Sequence, residues 1–178
     1  LVIQSRGMER WLSMALAQRL GIWAHPHLPF PRAFIEQVLG AVLDDQPTPA
    51  WSRESLSWSI AQRLDDCIDH PSFMPLRSYL SNDADGLMRL QLAGRIAHVF
   101  DQYATFRPEM VINWQAGVDD HWQARLWRHL VEAHGAQHFA GRAAKALQVM
   151  AEPLLASATA ALPARVCFFG VTTLPPLY

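Results

Sequence analysis

The chain has 178 residues, of which 51% are hydrophobic and 17% are charged, and its formal net charge is -1. This composition excludes an intrinsically disordered protein, because half of the residues are available to build a core. The near-neutral balance excludes a uniformly basic nucleic-acid binder, although it is compatible with a local cationic patch.

The basic residues are unevenly divided between arginine and lysine. Fourteen of the fifteen basic residues are Arg and one is Lys145. Arginine suits bidentate contacts to phosphates and base edges, but a GC-rich genome would produce the same bias.

The two cysteines indicate the cellular compartment. Cys67 and Cys167 are predicted in a buried helix and a buried strand, which is typical of a reducing compartment. We therefore predict a cytoplasmic protein, and no apolar stretch is long enough to predict a membrane contact.

The first predicted unit is a strand, a turn and a helix. The apolar run 1–3 predicts a strand, and the apolar spacing from Met8 to Leu20 predicts a helix that ends at Gly21. Such a unit opens a βαβ fold, in which ligands bind at the carboxyl ends of the strands. The turn holds Gln4, Ser5 and Arg6, which we interpret either as phosphate or base contacts or, with Ser5 as N-cap, as an ordinary helix start.

Helices dominate the next hundred residues. Pro26, Pro29 and Pro31 predict an extended link, and a helix follows from Arg32 to Leu43. The strongest amphipathic helix is predicted to bury Leu87, Leu90, Ala93, Ala97, Phe100 and Tyr103. Further helices are predicted at about 108–114, 122–134 and 142–160.

A closing strand is predicted at 165–169, because its apolar run suits a parallel strand buried on both faces. Strand-like runs near both termini predict that the chain is a piece of a larger domain. The predicted fold class is therefore α/β but predominantly helical. Residues 1–43 and 161–178 would contribute the two strands, and residues 44–160 would form a helical insertion.

The sequence contains no recognisable catalytic motif. The one lysine, Lys145, follows Ala143 and Ala144, so these residues contain no phosphate-binding P-loop. The adjacent carboxylates 44–45, 65–66 and 119–120 are more typical of caps and solvated faces than of a metal site. The histidines 25 and 27, like Cys67 with His70, lack a second pair at zinc-binding spacing. The sequence thus predicts neither catalysis nor a bound metal.

A second candidate binding region lies where the amphipathic helix ends. Asp101, Gln102 and Arg107 combine groups that read base edges with a cation that binds phosphate. The neighbouring Phe100 and Tyr103 are more typical of a core than of a base-stacking surface. Most of the seven tryptophans are likewise predicted to be core or interface anchors.

Several separated motifs resemble the RecC family, the gamma subunits of RecBCD (exodeoxyribonuclease V) complexes. They agree in order and spacing over essentially the whole chain. They are Ile3-Gln4-Ser5-x-Gly7-Met8-x-x-Trp11-Leu12, Leu28-Pro29-x-Pro31-x-x-Phe34-Ile35, Phe100-Asp101-Gln102-Tyr103 with Arg107-Pro108, and Gly170-x-x-x-Leu174-Pro175-Pro176-x-Tyr178.

This resemblance implies a fold and a role. The fold would be part of a RecA-like, superfamily 1 helicase-like domain that has lost its ATP site and carries a large helical insertion. The role would be a non-catalytic scaffold that holds RecB and RecD, helps to split forked DNA, and guides the 3′-ended single strand during Chi recognition. No cofactor is implied in this chain, since ATP and Mg would be used by the partner subunits.

The resemblance also implies site residues. The positions that match the family's strand-scanning surface are Gln4, Asp101, Gln102, Arg107 and Arg142. The chain departs from the family pattern at Arg6, Glu36 and His98, where the family has a small polar residue, a tryptophan and an acid. These departures affect the expected identity of the Chi hotspot sequence that the chain would recognise more than they affect the expected scaffold role.

Two alternatives stay open from the sequence. The first is an AddB-type helicase–nuclease subunit, which resembles RecC in organisation but keeps an ATP site upstream. The second is a purely structural module that docks partner subunits through its aromatic surface and binds no DNA.

Overall fold

A computed structural model of the chain describes residues 1–151 and 162–178. This part of the chain is predominantly helical and contains a two-stranded parallel sheet. Short 3₁₀ turns lie at Pro49–Trp51 and Pro71–Phe73. In chain order the elements are β1 Val2–Ile3, α1 Arg6–Leu20, α2 Pro31–Leu43, α3 Arg53–Cys67, α4 Met74–Tyr79, α5 Leu87–Phe106, α6 Pro108–Gln115, α7 Trp122–His134, α8 Phe139–Ala151 and β2 Phe168–Phe169.

The described residues form two compact units. The first unit comprises Leu1–Asp45, Ala146–Pro176 and Tyr178, and the second comprises Gln46–Lys145 with Leu177. The predicted domain boundaries are different, and they stay a prediction. They assign residues 1–43 and 161–178 to a helicase-like domain and residues 44–160 to an insertion in it. The C-terminal part of the predicted helix 142–160 lies outside the described residues.

In the first unit, β1 leads directly into α1. Val2 and Ile3 pair in parallel with Phe168 and Phe169, which confirms the predicted parallel pairing of the two strands. The amide of Ile3 also donates to the carbonyl oxygen of Pro29 at 3.1 Å, so the proline-rich link is hydrogen-bonded to β1.

The predicted limits of α1 are confirmed by its caps. The Ser5 hydroxyl accepts a hydrogen bond from the Met8 amide at 3.2 Å, and the Gly21 amide donates to Ala17 at 2.9 Å. The helix therefore starts and stops where side-chain capping and a glycine satisfy its end groups.

The prediction for β2 was wrong in length and burial. The strand contains Phe168 and Phe169 rather than 165–169, Phe168 is 44% exposed, and Cys167 is exposed instead of buried. An apolar run favours strand pairing, but burial on both faces requires elements packed on each of them. The local sequence does not specify those elements.

The second unit has a continuous core centred on the packing of α3 against α5. Phe100 and Trp127 are fully buried there, with ring centroids 5.4 Å apart, which confirms that Phe100 is a core residue. At the surface of this helix pair, Arg89 of α5 forms an ion pair with Asp65 of α3.

Two residues predicted inside this core are exposed instead. Leu87 is 53% exposed and Leu90 is 37% exposed, because the buried stripe of α5 begins only at Ala93. Among the described residues, no helix combines the length and the hydropathy needed to cross a membrane.

Candidate nucleic-acid interface

The first group of predicted site residues lies in the turn between β1 and α1. Gln4, Ser5 and Arg6 are all exposed. The hydroxyl of Ser5 is engaged as the N-cap of α1, so the ordinary-cap interpretation is confirmed for its side chain. Gln4 and Arg6 project beside the amino end of α1, where the helix dipole favours anions. This turn therefore presents an amide and a guanidinium to solvent at an electropositive position.

The turn that follows β2 approaches the same helix. Gly170 has a φ of +64°, and a Cβ at this position would overlap the Met8 side chain of α1. The positive φ favours glycine here, and the flexible end of the Met8 side chain lies against it. The turns after the carboxyl ends of both strands therefore meet α1, at the edge of a parallel sheet where ligands commonly bind.

The second group lies at the corner between α5 and α6. The Arg107 amide donates to Tyr103 at 2.8 Å, and its carbonyl oxygen accepts from Met110 at 3.1 Å. One residue thus ends α5 and starts α6, and its side chain is exposed. Gln102 is also exposed, whereas Asp101 is half-buried. Asp101, Gln102 and Arg107 therefore all lie in the last turns of α5 or at its end.

Arg142 differs from the other predicted site residues because it is buried. It lies in the first turn of α8, is 3% exposed, and donates its amide to the carbonyl oxygen of His138 at 2.9 Å. Its role in DNA binding stays a prediction. In the structure described, the polar surface of the second unit's candidate site comes from Gln102 and Arg107 rather than from Arg142.

The structure also gives the surroundings of Glu36 and His98, two of the residues that depart from the RecC pattern. Glu36 lies within hydrogen-bonding distance of Arg32 on α2, at 3.2 Å. His98 is exposed on α5 and lines an open groove of about 690 Å³ with Gln91, Gly94, Arg95 and Val99. Where an acid would make this groove anionic, the chain places His98 three residues after Arg95 on the same helix.

Two exposed residues of α1 were missed by the sequence analysis. Trp11 belongs to the apolar pattern that predicted the helix but is 61% exposed, and Arg10 beside it is also exposed. The spacing of Arg6 and Arg10 by four residues was the available signal, since such residues share one face of a helix. The exposure of Trp11 carried no local signal, because its apolar character fits either face.

The carboxylates and histidines do not assemble a metal site within residues 1–151 and 162–178: no group of three or more His, Cys, Asp or Glu side chains is close enough to hold an ion. Asp120 accepts a hydrogen bond from Arg125 at 2.6 Å and another from Arg128 at 3.1 Å. The Arg125 hydrogen bond, with the charges of both arginines, lowers the pKa of the Asp120 carboxyl. Asp120 thus forms surface ion pairs.

Comparison with known proteins identifies relatives over the whole chain. The model of the RecC N-terminal domain matches residues 1–178. The chain is 34% identical to the RecBCD enzyme subunit RecC of Escherichia coli, over 100% of this chain and 17% of that protein. It is 29% identical to the Haemophilus influenzae subunit (100% and 19%) and 32% identical to that of Mycolicibacterium smegmatis (98% and 16%). The chain therefore spans less than a fifth of the length of these relatives.

Proposed function

This chain belongs to the RecC N-terminal domain family, and on that premise we propose that it is a non-catalytic DNA-binding and scaffold part of a RecBCD-type helicase–nuclease. Its role is in the repair of double-strand breaks by homologous recombination in the cytoplasm. It guides the 3′-ended single strand and contributes to Chi recognition. The observation that carries the proposal is the family match over all 178 residues.

The exposed polar groups support a role in handling DNA. Arg6 and Arg107 offer guanidinium groups for phosphates, and Gln4 and Gln102 offer amides that can both donate to and accept from base edges. These side chains lie at a strand–helix turn and a helix corner, where backbone geometry fixes their positions. Each of these two groups can contact a strand without supplying a nucleophile or a base.

The fold supports a helicase-like origin. In this proposal β1 and β2 belong to a RecA-like sheet, with residues 44–160 as its helical insertion, and the parallel pairing of the two strands supports it. Parallel pairing requires a crossover connection between the strands. In this proposal ATP and Mg are used by the RecB and RecD partner subunits, and this chain takes no cofactor.

A docking role is the second candidate, and one observation favours it. Large apolar side chains are exposed on the second unit, among them Trp58 at 59%, Met74 at 69% and Val118 at 69%. Tryptophan in particular is enriched among the residues that anchor protein interfaces. This role is compatible with the scaffold part of the proposal.

The sequence also left an AddB-type subunit open as an alternative. The relatives reported above are RecC subunits, which favours a RecC subunit over an AddB-type subunit.

The test uses the full-length subunit assembled with RecB and RecD on a forked duplex. A photoactivatable nucleotide in the 3′-ended strand is expected to cross-link to this part of the subunit. Arg107→Ala is expected to reduce that cross-linking several-fold. Arg77→Ala is the matched control, because Arg77 is an exposed arginine held 3.6 Å from Asp69. Cross-linking from the 5′-ended strand alone, or equal yields with Arg107→Ala, would contradict the proposal.

A further inference from the structure

We propose that Trp11, backed by Phe169, is a stacking platform for an unpaired base beside the turn after β1. This inference rests on the proposed function and deepens it, since it assigns an aromatic contact to the site that Gln4 and Arg6 were predicted to form. The ligand class is single-stranded nucleic acid, held by a base on the indole and by neighbouring phosphates on arginines.

The ring of Trp11 is available to solvent. Trp11 is 61% exposed, and Met14, three residues later, is 56% exposed. With Gly7 and Arg10, these residues lie on the solvent face of α1, opposite the buried Leu12. A tryptophan with this much free surface has room for a planar partner.

Phe169 orients the indole from below. The two rings are nearly parallel, with an interplanar angle of 12° and centroids 6.0 Å apart. Phe169 belongs to β2 and is only half-buried, and its backbone is fixed by pairing with Ile3. The offset stack restricts the Trp11 side chain before any ligand binds, which lowers the entropic cost of binding.

The platform faces the predicted DNA turn. Helical side chains lean toward the amino end of their helix, so Trp11 points toward Gly7, one turn earlier. A Cβ on Gly7 would meet nothing closer than the Ser5 hydroxyl, at 3.8 Å. Because glycine leaves this surface bare, a base stacked on Trp11 can reach the backbone beside Ser5 and Arg6.

The surrounding charge favours a nucleic acid over an apolar protein segment. Arg6 and Arg10 are exposed one helical turn apart, and neither has an ion-pair partner within the parts of the chain that the structure describes. Two such cations on one side of an aromatic ring complement the alternating phosphates and bases of a single strand. An apolar helix docked on Trp11 and Met14 would leave both charges without partners.

The experiment compares oligothymidylate of about 15 nucleotides with an abasic oligomer of the same length, using the chain and three variants. The wild-type chain is expected to bind the base-bearing strand on the order of tenfold more tightly than the abasic one. Trp11→Leu is expected to lose that preference while keeping its affinity for the abasic strand, and Trp11→Phe to retain part of it. Trp58→Leu is the matched control, because Trp58 is 59% exposed but lies on α3 of the other unit. It should behave as the wild type does.

Each failure has a distinct meaning. If Trp11→Leu keeps the full preference for bases, the stacking proposal is overturned, the proposed DNA role stands, and this face of α1 becomes a protein-docking surface. If the wild type binds both oligomers equally, the stacking proposal is overturned. This outcome does not depend on the folding of Trp11→Leu, which circular dichroism would check. If the folded wild type binds neither oligomer, both the stacking proposal and DNA binding by this chain fail.

Discussion

The imidazole of His138 lies against the indole of Trp127, with ring centroids 4.8 Å apart and planes inclined at 69°. His138 is 1% exposed. Its Nδ1 accepts the Gly141 amide at 3.1 Å, so Nε2 carries the proton and donates to Gln115 Oε1 at 3.0 Å. The neutral ring therefore caps α8 and connects it to α6.

This buried ring predicts a specific dependence of stability on pH. Burial lowers the pKa of His138 from 6.5 to about 4. Between these values the unfolded chain binds a proton that the folded chain excludes, so the free energy of unfolding falls as the pH is lowered. The contribution is complete above about pH 6.5, and about 3 kcal/mol would be lost by pH 4. Urea unfolding between pH 7 and 4 measures the slope.

Substitution separates this effect from the other titrating groups. His138→Gln is expected to reduce the slope in that window, since the variant has no imidazole to titrate at position 138. Equal slopes for His138→Gln and the wild-type chain would mean that His138 is not the group responsible.

A second prediction concerns Gly141, which follows His138 in the first turn of α8. A Cβ at this position would overlap the carbonyl oxygen of Ala136 and lie 3.2 Å from the His138 ring. Gly141→Ala should therefore lower the free energy of unfolding by about 1–3 kcal/mol, because backbone and ring must both move. Chemical denaturation measures the change.

Gly94 provides the opposite control. It lies inside α5, and its Cβ would meet nothing closer than the Ser57 hydroxyl at 4.0 Å. Gly94→Ala should raise the free energy of unfolding by about 0.5–1 kcal/mol, because alanine loses less entropy in a helix. A Gly141→Ala variant as stable as Gly94→Ala would contradict the packing described around α8.

Local signals in the sequence were sufficient for most helices. Ser5 and Gly21 marked the ends of α1 because capping chemistry involves neighbouring residues alone. The predicted helix 122–134 coincides with α7, since its apolar spacing is strong and uninterrupted. These features depend on interactions within about four residues of the chain.

The exposure or burial of individual side chains was predicted less well, because it depends on packing against residues that are distant in the sequence. Trp11, Leu87 and Leu90 fit an apolar stripe but are exposed. Arg142 was predicted at a DNA surface, yet it is 3% exposed. Within the candidate site, the sequence therefore identified Gln4, Arg6, Gln102 and Arg107 as polar groups at element ends, but it did not reveal the solvent face of α1.

The start of α5 supports a third prediction. Gly86 supplies no side-chain cap, and the Asp83 carboxylate instead accepts the amides of Met88 and Arg89, both at 2.9 Å. Asp83→Ala should lower the free energy of unfolding by about 1–2 kcal/mol, because two amides at the helix start lose their acceptor. Thermal unfolding at neutral pH measures the loss.

An exposed aspartate serves as the control for this loss. Asp66 lies on the solvent side of α3, and Asp66→Ala should change stability by less than about 0.5 kcal/mol. If both variants melt together with the wild type, the carboxylate of Asp83 does not hold the start of α5.

The binding of single-stranded DNA by this chain can be measured directly. Labelled single-stranded DNA is titrated with the wild-type chain and with Arg107→Ala over a range of salt concentrations. Binding is expected to weaken with salt, with a log–log slope of about -0.7 per neutralised phosphate, and the slope is expected to be shallower by about 0.7 in Arg107→Ala. A well-folded chain that binds no single strand, or whose binding ignores both salt and Arg107, would contradict this expectation.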